Sequence, residues 1–165
     1  MGGVRTIGLG LARGLAAGVA GTAVMTGYQL AVAKARGEPL RTKVPRTWAD
    51  APAPAQVAKL LADRVGKGRR ITKKDVPWVT NAMHWVYGVS WGAAYGVAAA
   101  ATGIRPLAGG VAFGTGVWAT SYAELVPLGI YEPPWEYPPQ VLALDLSYHL
   151  VYGVAVAAAY AALDR

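Results

Sequence analysis

Four stretches of the chain contain no Asp, Glu, Lys or Arg: residues 14–33, 76–104, 106–123 and 146–163. Each is dominated by Ala, Gly and Val. A helix needs about 20 mostly apolar residues to span a bilayer, and each run meets or nearly meets that length. A soluble bundle of four such helices would have no polar outer face to show to water. The pattern therefore predicts an all-α integral membrane protein with four transmembrane helices.

Along the chain, the expected first helix covers residues 14–33, uncleaved and preceded by a short interfacial turn. Asp75 is the expected N-cap of the second, with Pro77 in its first turn. A tight turn at 103–106 leads to the third, which ends near Glu124. A proline-stiffened loop at 131–139, rich in Trp and Tyr, suits a membrane interface. The fourth helix runs over about 141–163.

Glycine adds detail to this picture. Gly10, Gly14, Gly18 and Gly21 fall at spacings of four, four and three, and Gly88, Gly92 and Gly96 at four and four. Gly109, Gly110, Gly114 and Gly116 crowd the third run, and Gly153 lies in the fourth. Small residues on one face let helix backbones approach closely where lipid removes the hydrophobic incentive to associate. These faces predict packing against neighbouring helices.

The chain also repeats itself. His84-Trp-Val-Tyr-Gly88 returns as His149-Leu-Val-Tyr-Gly153, and these are the only two histidines. Arg13-Gly-Leu-Ala-Ala-Gly-Val-Ala20 reads against Arg105-Pro-Leu-Ala-Gly-Gly-Val-Ala112, and Gly21-Thr22 against Gly114-Thr115 after one extra residue. Tyr28 reads against Tyr122, and the loops echo each other in Trp48…Gln56-Val57 and Trp135…Gln140-Val141. One membrane domain, 1–165, is expected from two repeats, 13–104 and 105–165, the first carrying an inserted segment at about 55–80. Each repeat holds two helices, so both enter from the same side and form parallel helix pairs.

Charge then orients the molecule. Of the sixteen Lys and Arg, twelve lie between positions 34 and 74, against four carboxylates over 34–80, so this segment carries +8. The positive-inside rule places it in the cytoplasm of a bacterial plasma membrane. A soluble nucleic-acid binder would spread its +7 over the whole surface, so no nucleic-acid partner is expected. Val57, Leu60, Leu61 and Val65 recur at helical spacing, which predicts a short amphipathic helix on the membrane surface. Lys67, Arg69, Arg70, Lys73 and Lys74 would meet anionic lipid headgroups.

The remaining chemistry gathers at one level. His84 and His149 sit near the starts of the second and fourth helices, and Asp145 lies one turn before His149. Glu124, Gln29, Asn81, Thr22 and Thr26 fall at the same depth by position. Ionisable groups within a membrane are costly and mark functional candidates. A His/Asp/Glu layer can handle protons or a small solute. The same histidines could ligate a divalent metal, or clasp a b-type haem with the following glycines making room for the macrocycle. They could also simply pin helix ends by hydrogen bonds. With no Cys, no phosphate loop and no Ser-His-Asp or His-Glu-x-x-His pattern, hydrolase and nucleotide-dependent chemistry have no support. The balance favours a non-enzymatic packing module or accessory subunit, without a cofactor, acting as a homo-oligomer or in a larger membrane complex.

Pro127-Leu-x-Gly129, Pro133-Pro-Trp135 and His149-Leu-Val151, with His84 and Tyr95 in the earlier helix, resemble the YagU-type bacterial inner-membrane proteins. The likeness covers about the last 85 residues. It implies an integral inner-membrane protein of unassigned biochemistry, loosely associated with acid tolerance. The basic loop departs from that family's pattern.

Overall fold

The computed structural model describes residues 2–40, 42–102 and 106–165, which form helices and connecting turns and, among the described residues, no strand. Five α-helices follow in order: α1 (Gly2–Ala35), α2 (Ala53–Arg64), α3 (Val76–Thr102), α4 (Pro106–Leu125) and α5 (Pro139–Leu163). Three 3₁₀ turns, Gly68–Arg70, Lys73–Asp75 and Pro134–Glu136, shape the connections. Gly103, Ile104 and Arg105 of the expected turn lie outside the described residues.

α1 departs from expectation at its start. It is one helix of 34 residues, with no separate interfacial turn before position 14. No proline interrupts the run, and the Arg13 guanidinium forms an ion pair with Asp164, just past the end of α5. A charge satisfied this way does not break the helix. Asp75 also departs from its expected role. Its carboxylate accepts from the Thr72 N–H (2.8 Å) and hydroxyl (2.7 Å), so it closes the 3₁₀ turn before α3 instead of capping α3 itself.

Four spanning helices were expected; among the described residues two helices are long and apolar enough to cross a membrane, Thr6–Ala35 and Pro139–Leu163. At about 1.5 Å per residue α3 and α4 reach about 30 Å or more, so composition sets them apart. Asn81, His84 and three Trp lower the mean hydropathy of α3, and four Gly with Thr, Ser and Trp lower that of α4. Both apolar helices keep most of their surface outside the protein. Only 33 % and 22 % of their most apolar stretches are buried, and Ile7, Leu11, Leu15, Val19 and Val24 all point outward from α1.

Close helix contacts run α3–α1–α5–α4. Between α1 and α3 the backbones touch through glycine: a Cβ on Gly14 would lie 2.9 Å from the Gly96 Cα, and one on Gly92 would collide with Gly18. Between α4 and α5, a Cβ on Gly153 would strike Gly110 and Gly114. Gly21 leaves the face of its three predecessors, abutting Val156 and Tyr152 of α5 instead. It therefore does not play the part of Gly114, with which the sequence alignment paired it. Aromatic side chains join α3 to α4. Phe113, the only Phe, contacts the rings of Tyr95 (4.9 Å between centroids), Tyr152 (5.9 Å) and Trp91 (6.2 Å).

A second, small core lies between α1 and α3 in sequence. Ala51 and Ala55 bury against Val76 and Val79 at the start of α3, with Trp48, Ala58, Ile71 and Met83 around them. α2 thus turns its alanines inward. The expected apolar set is not its packing face: Leu61 is 50 % exposed and Val65, just beyond the helix, 67 %. Two Thr-x-x-Asp boxes order the flanking chain, Thr47 with Asp50 (2.8 Å) and Thr72 with Asp75.

Candidate functional site

The two copies of His-x-Val-Tyr-Gly meet. Both place their histidine and tyrosine on one cavity of about 60 Å³, also lined by Thr22, Met25, Trp91 and Val117. Glycine explains how α1 and α3 come near enough to enclose it. A Cβ on Gly88 would clash with the hydroxyl of the fully buried Thr22, so α1 and α3 meet closely there through glycine. The Tyr152 hydroxyl crosses from α5 to donate to the Gly88 carbonyl at 2.5 Å. A site of this size and polarity holds a few waters.

Hydrogen-bond partners fix which ring nitrogen carries the proton. The single Thr26 hydroxyl proton is donated to the Thr22 carbonyl (2.8 Å), so Thr26 Oγ1 accepts from His84 Nε2–H at 3.2 Å. His149 Nδ1 lies 2.9 Å from the Asp145 backbone carbonyl, which only accepts, so here Nδ1 is the protonated nitrogen. In their neutral forms the two histidines are opposite tautomers. Each keeps one bare nitrogen, Nδ1 of His84 and Nε2 of His149, able to take a proton.

The rest of the expected layer disperses. Asp145 is half-buried, and its carboxylate accepts from Trp118 Nε1 (2.9 Å) and the Tyr122 hydroxyl (3.3 Å). Its other oxygen lies 3.8 Å from His149 Nδ1, an ion pair whenever that ring is charged. Glu124 is exposed and accepts from the Tyr87 hydroxyl at 3.3 Å. Asn81 is exposed, Gln29 is half-buried, and neither lines the cavity. Sequence reasoning passed over Tyr87 and Tyr152, although both stand inside the repeated motif; Trp118 had no local signal.

The space beside the two histidines is small. A drug-sized ligand takes a pocket of about 300 Å³ or more, and a haem is larger still than the space between these histidines. The glycines expected to make room for a macrocycle are already pressed against α1 and α4. For a divalent metal, no group of three or more His, Asp or Glu converges among the described residues. Asp145 and Glu124 are held by the indole and phenols instead.

Outside the long helices, Tyr131 packs within the loop before α5. Burial pushes its phenol up to about 12, with the Asp145 carboxylate and the Tyr137 and Tyr87 phenols adding to the effect. Hydrogen bonds from the Thr47 side chain and backbone hold the Asp50 carboxyl below its usual range; those from the Thr72 backbone and side chain do the same for Asp75. Lys67, Arg69, Arg70 and Lys74 are exposed, whereas Lys73 folds back to donate to the Arg46 carbonyl at 2.5 Å. No protein-family model, no curated protein and no solved structure matches the chain.

Proposed function

We propose that the chain is a non-enzymatic, four-span protein of a bacterial plasma membrane, built of two parallel helix pairs around a histidine-lined polar site that handles protons. The outward apolar surfaces of α1 and α5 support the membrane assignment, since such large exposed apolar areas are rare on soluble monomers. α3 and α4 lie alongside them, and Tyr95, Phe113 and Trp118 turn toward partners inside the bundle. The duplicated reading is supported by Gly88 facing Thr22 as Gly153 faces Gly114, at the same offset of 92 positions between α1 and α4. The basic connection between α1 and α3 sits on the cytoplasmic side by its charge. The YagU-type resemblance agrees with an inner-membrane role of this kind.

The observation that carries the proton reading is the cavity itself. It brings together the only two histidines, as opposite tautomers, in a space for water. Imidazole is the side chain that exchanges a proton near neutrality, and a water between two bare nitrogens completes a relay.

Reconstitution into vesicles holding a pH-sensitive dye tests the reading. The wild-type protein should dissipate an imposed pH gradient faster than His84→Gln, His149→Gln or empty vesicles. Equal rates for wild type and both variants would overturn it.

A further inference from the structure

We infer that α2 and the turn after it form a docking surface for an anionic lipid bilayer, with Leu61 and Val65 entering the headgroup region. This deepens the membrane reading above and rests on it. α2 buries Ala55 on Val76 and Val79, while Gln56 donates to the Ala51 carbonyl at 2.8 Å and Lys59 lies over the Trp48 ring. That contact fixes the helix beside the first turns of α3. Trp78 on the first turn of α3 is 73 % exposed, and Trp135 just before α5 is 82 % exposed. Exposed tryptophans where two long helices begin mark the headgroup level, so α2 is tethered at that level.

What α2 leaves outward is apolar and cationic. Leu61, Arg64 and Val65 are spaced three and four apart, on one helical face, and all three are exposed. From position 64 to 74 there are six cations and no carboxylate. The flanking acids are already engaged: Asp63 by Lys59 (2.5 Å) and Asp75 by Thr72. Lys73 is taken by the Arg46 carbonyl. Arg64, Lys67, Arg69, Arg70 and Lys74 are exposed, with no acidic partner among the described residues. A nucleic acid would match the charge but not the leucine and valine between the cations. Anionic lipid matches both, phosphates to the cations and acyl boundary to the side chains.

The absence of native cysteine makes the test clean. Leu61→Cys, Val65→Cys and Val19→Cys proteins, each carrying an environment-sensitive fluorophore, are placed in nanodiscs of zwitterionic lipid with or without phosphatidylglycerol. The Val19 label, on the outward face of α1, should be quenched by brominated lipid in both compositions. The Leu61 and Val65 labels should blue-shift and gain lipid quenching only with anionic lipid. High salt, or Lys67→Glu with Arg69→Glu and Arg70→Glu, should reverse that gain. A quenched Val19 label with water-exposed Leu61 and Val65 labels in both lipids overturns the docking surface alone, and leaves the basic turn to an acidic protein partner. An unquenched Val19 label overturns the spanning reading as well.

Discussion

The Tyr152 hydroxyl donates to the Gly88 carbonyl, joining the tyrosine of one His-x-Val-Tyr-Gly copy to the glycine of the other. The bond spans α5 to α3, two helices with few other close contacts, across the floor of the histidine cavity. Tyr152→Phe removes one interhelical hydrogen bond and little else. Such bonds between membrane helices contribute about 0.6 kcal/mol on average and up to about 1.7. Unfolding of the reconstituted protein should show a loss in that range, and a loss near zero would mean that the bond is not formed.

The glycines separate into two classes with opposite expected outcomes. Gly14, Gly92 and Gly153 face backbone of the neighbouring helix, where an added methyl must push two helices apart. Overpacking of this kind costs about 1–3 kcal/mol. Gly27 and Gly116 face open space. There Ala gains helix propensity, which is worth up to about 1 kcal/mol in water. Thermal unfolding in detergent should therefore place Gly14→Ala, Gly92→Ala and Gly153→Ala below the wild type. Gly27→Ala and Gly116→Ala should unfold at or above it, and a uniform effect across both sets would contradict this packing.

That division shows what local sequence could carry. Spacing alone put Gly14, Gly18, Gly92 and Gly96 on faces, because helical periodicity is a local property. Spacing could not show that Gly21 turns to α5, since that depends on where a third helix lies. Rotation about each helix was not legible either. Asn81 and Glu124 each sit two residues beyond a buried neighbour, Val79 and Tyr122, about 200° around the helix, and both are exposed, Glu124 reaching back only to the Tyr87 hydroxyl. Phe113 joins three helices through contacts that lie far apart in sequence. The apolar spacing of Val57, Leu60 and Leu61 marks α2 as a helix but not the face that it packs. Its alanines, which score weakly as core, are what bury on α3.

The connections outside the long helices predict a window of stability bounded at both ends of the pH scale. Asp50 and Asp75 have lowered pKa values from their Thr hydrogen bonds, so their contribution is present above the unfolded value of 3.8. It is lost as pH falls through the still lower folded values. Tyr131 is the reverse case. Its pKa is raised to about 12 from 10.0, so its contribution is full below pH 10 and disappears as pH rises toward 12. Ultraviolet absorbance titration should show one phenol ionising near the upper limit and lost in Tyr131→Phe. A phenolate already formed at Tyr131 near pH 10 would contradict its burial.

The opposite tautomers of the histidine pair make the sharpest spectroscopic prediction. Thr26 can offer His84 only a lone pair, because its one proton already serves the Thr22 carbonyl. The Asp145 carbonyl can offer His149 only a lone pair as well. Neutral His84 must then carry its proton on Nε2 and neutral His149 on Nδ1. Nitrogen-15 spectra of imidazole-labelled protein in lipid, under conditions where both rings are neutral, should resolve two distinct tautomers. The His84→Gln and His149→Gln proteins assign them. Thr26→Val removes the acceptor that holds Nε2–H, so the His84 signal should shift toward a mixture while the His149 signal stays fixed. If both rings gave the same tautomer in the wild type, one of these hydrogen bonds would be absent. A relay through water between two dissimilar nitrogens would then lose its geometric basis.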